Sequence, residues 1–374
     1  MNIGVDIRSL LAMSRGGIPH YTRSILRELV KRHPDDRWTL LQTGRHPYRL
    51  PPELERPNVK LHHLRQPNRL INARLAATGH PQLDRAVGGV DVWFAPGFGF
   101  LPLSRNVPVV LTVHDLSFRS HPEWYGWRSR IWHRAVRPRA LARRANRLIA
   151  VSEQTERELA GEYGIPPARI RTIHPGVDDV FRKPVGAATR RRVRRRYRLP
   201  RSYFLYVGAL ERRKNSVALL EAYQTARAAG LGSELVIAGR GTDRWRGPAR
   251  LLNGIHRLGF VAEADLPALY AEARALTLVS RSEGFGFPPL EALAAGTPSI
   301  VSDLPIFRET LGAAALRVAP DDPATLADSL VQLDRDAQLR ERLVAAGSKR
   351  LSGFTWERAA RETYRVLTEA ADAQ

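Results

Sequence analysis

The feature that most limits what this chain can fold into is an alternation that runs through it twice. Short β-branched or apolar runs are separated by helix-length amphipathic stretches, which is the pattern of βαβ units and so of a parallel sheet. Residues 2–7 (NIGVDI) open as a strand, and a Gly-rich turn follows at Arg15-Gly16-Gly17. A helix is expected from about 18 to 32, with Tyr21, Ile25, Leu26 and Leu29 on one face. Further strands are expected at 38–43, 59–64, 90–95, 107–113 and 147–152, the last leading into a helix over 153–163. The alternation then restarts, with strands at 202–209, 234–239, 255–260, 275–280 and 298–302. Helices are expected near 216–229, 262–272, 289–295, 323–334, 336–346 and 355–371. Between the halves, 181–200 carries Pro, Gly and a dense arginine run; the linker belongs at its start, and 187–197 reads as an exposed helix.

At 374 residues the chain holds about two domains' worth of sequence. The expected fold class is α/β, two doubly wound Rossmann-like domains facing across a cleft, divided as 1–182, 183–354 and a C-terminal helix, 355–374, that could pack back on either domain, the first being one candidate. Ligands of such sheets bind beyond the C-terminal strand ends. Composition narrows the function. With no Cys, a disulfide framework and a thiolate metal site are both excluded. The opening residues have no basic start and no cleavage-site pattern of a secretory signal. No run approaches the ~20 apolar residues of a membrane span, so the cytoplasm, or the inner face of the membrane, is the expected location. Lys and Arg total 59 against 37 Asp and Glu, a net charge of +22 carried almost wholly by arginine. Such a balance favours anionic partners without choosing among them.

The most specific segment runs Arg281-Ser-Glu283-Gly284-Phe285-Gly286-Phe-Pro-Pro-Leu-Glu291, after one expected strand and into a helix with Pro at its start. Gly284 and Gly286 let backbone approach a ligand closely, and a helix start suits a diphosphate. Glu283 falls in the loop and Glu291 in the first turn, so that one carboxylate can take sugar hydroxyls and the other a ribose. The plain structural alternative makes Glu283 a cap and Glu291 a partner of the helix dipole.

This segment resembles the E-x7-E signature of the retaining family-four glycosyltransferases of the GT-B fold, and the resemblance spreads along the chain. Gly16-Gly17-Ile18 is similar to that family's N-terminal glycine loop, and Val113-His114-Asp115-Leu116 to its His-Asp motif. Residues 173–178 (IHPGVD) resemble the stretch that closes its first domain. Gly208-Ala209-Leu210-Glu211-Arg212-Arg213-Lys214-Asn215 is similar to a variant found among bacterial mannosyltransferases, with Ala209 where many members have Arg.

The resemblance implies an acceptor-side first domain and a nucleotide-sugar-binding second one. It implies that Arg213 and Lys214 clamp the donor diphosphate, that Glu283 holds hydroxyls of the transferred sugar, and that Glu291 takes the ribose. Gly16 and Gly17 would bring N–H groups to phosphate or acceptor. His114 would line the sugar pocket, and Gly284, Phe285 and Gly286 would contact the donor. The implied reaction is hexosyl transfer with retention, mannose from GDP-mannose first, to a glycan or lipid-diphosphate-linked acceptor in polysaccharide synthesis. Base choice is assigned to loops near 239–242 and 259–261.

No cofactor or metal is expected. Asp334-Arg335-Asp336 reads as a helix boundary, and His62-His63 point to opposite faces of a strand. Trp124, Trp127 and Trp132 with Arg134, Arg137, Arg139, Arg143 and Arg144 form an aromatic, basic belt that reads either as a seat on an anionic membrane or as one solvated helix face with buried indoles, the reading favoured by Pro138, which interrupts a single helix there. Two alternatives are a polyanion-binding protein on the same scaffold and a sugar-nucleotide epimerase. Nucleic acid is not expected as a partner, since no base-stacking module is present.

Overall fold

The computed structural model describes residues 1–11, 16–239 and 249–373, with backbone alone at 11, 249 and 250. The chain forms two compact units, Met1–Gly176 joined by the chain from Trp356 onward, and Val177–Thr355. Backbone ties explain why the division precedes the boundary expected at 182. Val177 N–H donates to Phe354 O at 3.1 Å, and the Arg182 guanidinium donates to Leu351 O and Phe354 O at 2.9 and 3.1 Å. These bonds hold the start of the expected linker to the second unit.

The first unit is a seven-stranded sheet of β1 (Asn2–Asp6), β2 (Arg37–Thr43), β3 (Val59–Leu64), β4 (Val92–Ala95), β5 (Val109–Val113), β6 (Arg147–Ala150) and β7 (Ile170–Thr172), in the order β3-β2-β1-β4-β5-β6-β7. The second is six-stranded, with β8 (Tyr203–Val207), β9 (Glu234–Ala238), β10 (Ile255–Gly259), β11 (Leu276–Leu278), β12 (Ser299–Ser302) and β13 (Ala315–Val318), in the order β10-β9-β8-β11-β12-β13. Every pairing is parallel; Ile3 sits opposite both Trp38 and Val92, and Leu276 opposite both Leu205 and Ser299. Central strands such as β5, VVLTV, are buried at every residue, as a parallel sheet covered on both faces requires. In each unit the strand order reverses once, between β1 and β4 and between β8 and β11, and loops at such switch points carry ligands.

The helix Trp356–Ala371 buries Trp356, Ala359, Ala360, Thr363, Val366, Leu367 and Ala370, one helical stripe. It packs on the helix Gly17–Arg32 of the first unit: Tyr364 stacks on His33, and Trp356 meets His20 edge-on at 5.7 Å between ring centroids.

Strands β7 and β13 and the helices Asn68–Thr78, Trp127–Val136 and Pro138–Arg144 fall where the sequence pattern indicated no element. Each lacks the periodic apolar face that pattern reading needs. The helix Asn68–Thr78 buries only Ile71 and Leu75, and Trp127–Val136 only Val136. Pro138 starts a second helix after Arg137, whose backbone is left-handed. The arginine run forms the helix Ala187–Tyr197. Asp265 takes both Arg192 and Arg196, and Glu272 takes Arg194, so part of its charge is internally matched. Among the described residues no helix is long and apolar enough to cross a membrane.

Candidate active site

The second unit brings its glycine and cation motifs together at the switch point. Two glycines pinch the ends of β8 and β9: Gly208 N–H donates to Ala238 O at 2.9 Å, and a Cβ on Gly239 would stand 2.2 Å from Gly208 O. Beyond Gly208 the chain folds into tight turns, Lys214 N–H donating to Glu211 O and Asn215 N–H to Arg212 O. Asn215 takes a left-handed backbone, and its side chain donates to Pro320 O at 2.6 Å, which fixes the turn. The loop after β11 is tied to it, Arg281 N–H donating to Arg213 O at 2.8 Å. Arg213 and Lys214 are thereby held against Glu283.

Glu283 is 6% exposed and fully partnered. Lys214 Nζ donates to Oε1 at 2.5 Å, Arg213 reaches Oε2 at 3.3 Å, and Ser280 Oγ donates to Oε1 at 2.6 Å. Arg213 also donates to Ser282 O at 2.8 Å. Burial alone would raise the Glu283 pKa, but Lys214 and then Arg213 outweigh it and bring it down to about 2. Two cations against one carboxylate leave the cluster with a net positive charge, the electrostatics of an anion site.

The helix runs Phe287–Ala294 with Gly286 as its N-cap at φ 80°, so Glu291 lies beyond the first turn expected for it. It is not a dipole partner at the surface. Its carboxylate is buried and accepts from Tyr270 OH at 2.6 Å. Burial, with Asp178 and Glu263 adding repulsion, pushes its pKa up to about 7 against the help of Tyr270. Pro288 and Pro289 carry no N–H, so this helix start has fewer donors for a diphosphate than an ordinary one. Phe285 is buried and packs against Phe287 and Phe354, so a ligand would meet its backbone and not its ring.

The first unit holds the remaining residues of the expected site. His114 follows β5, and its Nε2 lies 2.7 Å from Pro96 O. A carbonyl only accepts, so Nε2 carries the proton and Nδ1 is left as an acceptor. Burial lowers the His114 pKa and keeps the ring neutral. The Tyr21 ring meets His114 edge-on at 4.9 Å and Trp356 at 6.0 Å, so the C-terminal helix backs the imidazole from behind. Asp115 accepts from Ser117 N and Oγ at 3.0 and 2.6 Å, which orders the next turn. Gly16 is the extended N-cap of the helix Gly17–Arg32, and both glycines are exposed.

Several partners escaped the sequence reading. Tyr270 and Ser280 orient the two glutamates but belong to no motif: Tyr270 is hidden by its distance from Glu291 along the chain, and Ser280, three residues before Glu283, reads as the last residue of a strand. Asp6 and Arg8 were more detectable, a charged pair at the end of a buried strand. Arg8 grips Asp6 at 2.8 and 2.6 Å and donates to Phe100 O at 2.8 Å, bracing the loop after β4 that carries Pro96. Asp336 caps the helix Ala337–Leu351, the boundary role read from sequence, whereas Asp334 lies in the last turn of the helix Pro323–Arg335 and accepts from the distant Gly232 N–H at 3.1 Å. Of the loops assigned to base choice, residues 240–242 lie outside the described residues, as does Arg15 of the glycine turn. Among the described residues no group of three or more His, Cys, Asp or Glu is placed to hold a metal ion.

Residues 15–181 match the family described as Glycosyltransferase Family 4, and residues 190–350 that described as Glycosyl transferases group 1. The chain is similar to the O-antigen chain mannosyltransferase B of Escherichia coli, 30% identical over 289 residues that span 74% of each protein. It is also similar to the glycogen synthase of Mycobacterium tuberculosis, 33% identical over 71% of this chain and 64% of that one. In three dimensions it resembles the sucrose-phosphate synthase of Thermosynechococcus elongatus, with a TM-score of 0.78 at 19% identity and full coverage of both chains.

Proposed function

The chain belongs to glycosyltransferase family 4, a retaining hexosyltransferase that draws on a nucleotide sugar, and on that premise we propose that it moves mannose from GDP-mannose to a glycan or lipid-diphosphate-linked glycan in polysaccharide synthesis. Mannose is favoured by the Leu210-Glu211-Arg212-Arg213-Lys214-Asn215 variant and by the E. coli relative, which is named a mannosyltransferase. The M. tuberculosis relative is named a glycogen synthase, so the choice of hexose is what the experiment must decide. The enzyme would act in the cytoplasm, with an anionic membrane as a peripheral partner.

The observation that carries the reading is the cluster of Lys214, Arg213 and Glu283 at the switch point of the second sheet. Lys214 Nζ has three N–H donors, and Arg213 is braced on Ser282 O, so both can turn from Glu283 to a diphosphate without leaving their places. The charge building on the departing nucleotide is then met by fixed cations, where it lowers the barrier most. Glu283, released from part of that pairing, accepts hydroxyls of the transferred sugar. Glu291 accepts from the ribose, and the N–H groups of Gly284, Phe285 and Gly286 face the phosphates. In the first unit, His114 offers Nδ1 to a hydroxyl, while Gly16 and Gly17 bring backbone N–H groups to phosphate or acceptor.

Glu283 accepts from Ser280 and from hydroxyls of the transferred sugar, so in this reading it does not take the acceptor proton. In this reading the bond from the anomeric carbon to the diphosphate oxygen breaks as the bond to the acceptor oxygen forms on the same face. The acceptor proton passes to the leaving diphosphate. The protein supplies position and charge.

The test is turnover of a panel of nucleotide sugars, read as release of nucleoside diphosphate. GDP-mannose is expected to be hydrolysed fastest, and Glu283→Ala to abolish that turnover. A preference for UDP-glucose would overturn the choice of donor, and turnover untouched by the substitution would overturn the site.

A further inference from the structure

One face of the first unit has no part in donor chemistry. The helix Trp127–Val136 turns Val136 fully inward, with Ser129 and His133 half-buried on the same side. On the opposite side Trp127, Ile131 and Arg134 follow one another at helical spacing, with Arg130 beside them. Trp127 is 66% exposed and Ile131 59%, neighbours on one stripe and not scattered apolar residues. Between this helix and Pro138–Arg144 lies a cavity of about 750 Å³. Arg119, Arg130, Arg134, Arg137, Arg139 and Arg143 line it together with Trp127 and Ile131, and among the described residues no acidic side chain is in the lining. His133 stacks on Phe118 at 4.2 Å between ring centroids, and burial lowers its pKa, so the charge of the hollow comes from guanidinium groups.

A soluble phosphate would be served by the arginines and would leave Trp127 and Ile131 in water. A bilayer surface employs both. Indole and aliphatic side chains settle among headgroups and upper acyl chains, while guanidiniums meet lipid phosphates. We infer that this face seats the protein on a bilayer with anionic headgroups, Trp127 and Ile131 entering the interfacial layer and the hollow gathering phosphates around them. This seating rests on the proposed membrane partner and is independent of the donor chemistry.

Sedimentation of the full chain with vesicles tests it, using phosphatidylcholine alone and phosphatidylcholine enriched in phosphatidylglycerol, at low and high salt. Binding is expected on the anionic vesicles only, falling with salt. Trp127→Ser with Ile131→Ser, and separately Arg134→Glu with Arg139→Glu, should each weaken it by at least about tenfold. Arg190→Glu with Arg191→Glu and Arg195→Glu, in the second unit, should leave it unchanged. Equal sedimentation of the serine pair would overturn the seating, as would a loss confined to the 190–195 variant, which would mean that bulk charge alone drives adsorption. Full competition by soluble pyrophosphate, with the serine pair indifferent, would overturn it in favour of a small anion. Donor turnover measured without vesicles should be the same in the serine pair as in the wild type. Turnover absent from both while sedimentation persists would count against the donor site and not against this face.

Discussion

Glu283 and Glu291 sit in one loop-and-helix segment, and their surroundings drive them in opposite directions. Glu283 is held near 2 by Lys214 and Arg213, below its ordinary 4.5. A carboxyl whose pKa falls on folding stabilises the native state above 4.5 and loses that contribution as pH drops towards 2. Thermal melts of wild type and Glu283→Gln across acid pH should therefore converge at the acid end, with the variant less stable at neutral pH. At pH 7 that difference should be about 2–4 kcal/mol, because two half-buried cations lose their counter-charge. Glu291 is raised to about 7, so its contribution is complete below 4.5 and is lost as pH climbs through 7. Ribose hydroxyls that donate to the carboxylate favour its charged form. Nucleotide affinity should thus rise with pH up to about 7 and then level off, and Glu291→Gln should flatten the profile in a calorimetric titration. The spacing of the two glutamates could be read directly from the sequence. Their opposed protonation could not, because it depends on Tyr270, Asp178, Lys214 and Arg213, which lie elsewhere in the chain.

At the scale of elements, legibility followed periodicity. The helices Glu153–Tyr163 and Ala187–Tyr197 fall on their expected ranges because a cap or a charge run marks them. Strand β7 has three residues and Trp127–Val136 buries a single residue fully, so neither leaves a pattern. The glycine loop shows what a local element owes to distant packing. Gly286 holds φ 80°, and a Cβ there would stand 2.6 Å from Phe307 Cε1. Gly286→Ala should cost about 1–3 kcal/mol, measured by denaturant unfolding, and should shift Glu283 enough to lower turnover. The C-terminal helix is bound just as tightly to its unit. Trp356 is 2% exposed and backs Tyr21 and, through it, His114. Trp356→Ala should cost about 3–5 kcal/mol in the same measurement and lower turnover beyond what stability explains.

At the scale of the whole molecule, the doubled alternation of strand and helix foretold two parallel sheets, and each has its reversal where the motif loops emerge. The chain ends in the unit where it began, which the sequence allowed through the apolar stripe of its last helix. What sequence concealed was that the two cations expected to hold a diphosphate are occupied by a carboxylate of the same site. That pairing makes the central claim open to direct test, because removing the carboxylate and removing a cation should have opposite effects on the same ligand. Calorimetric titration of GDP into wild type, Lys214→Ala and Glu283→Gln measures this. The account predicts binding at least about tenfold weaker in Lys214→Ala and equal or tighter in Glu283→Gln, even though that variant transfers no sugar. GDP binding to Lys214→Ala with wild-type affinity would contradict it.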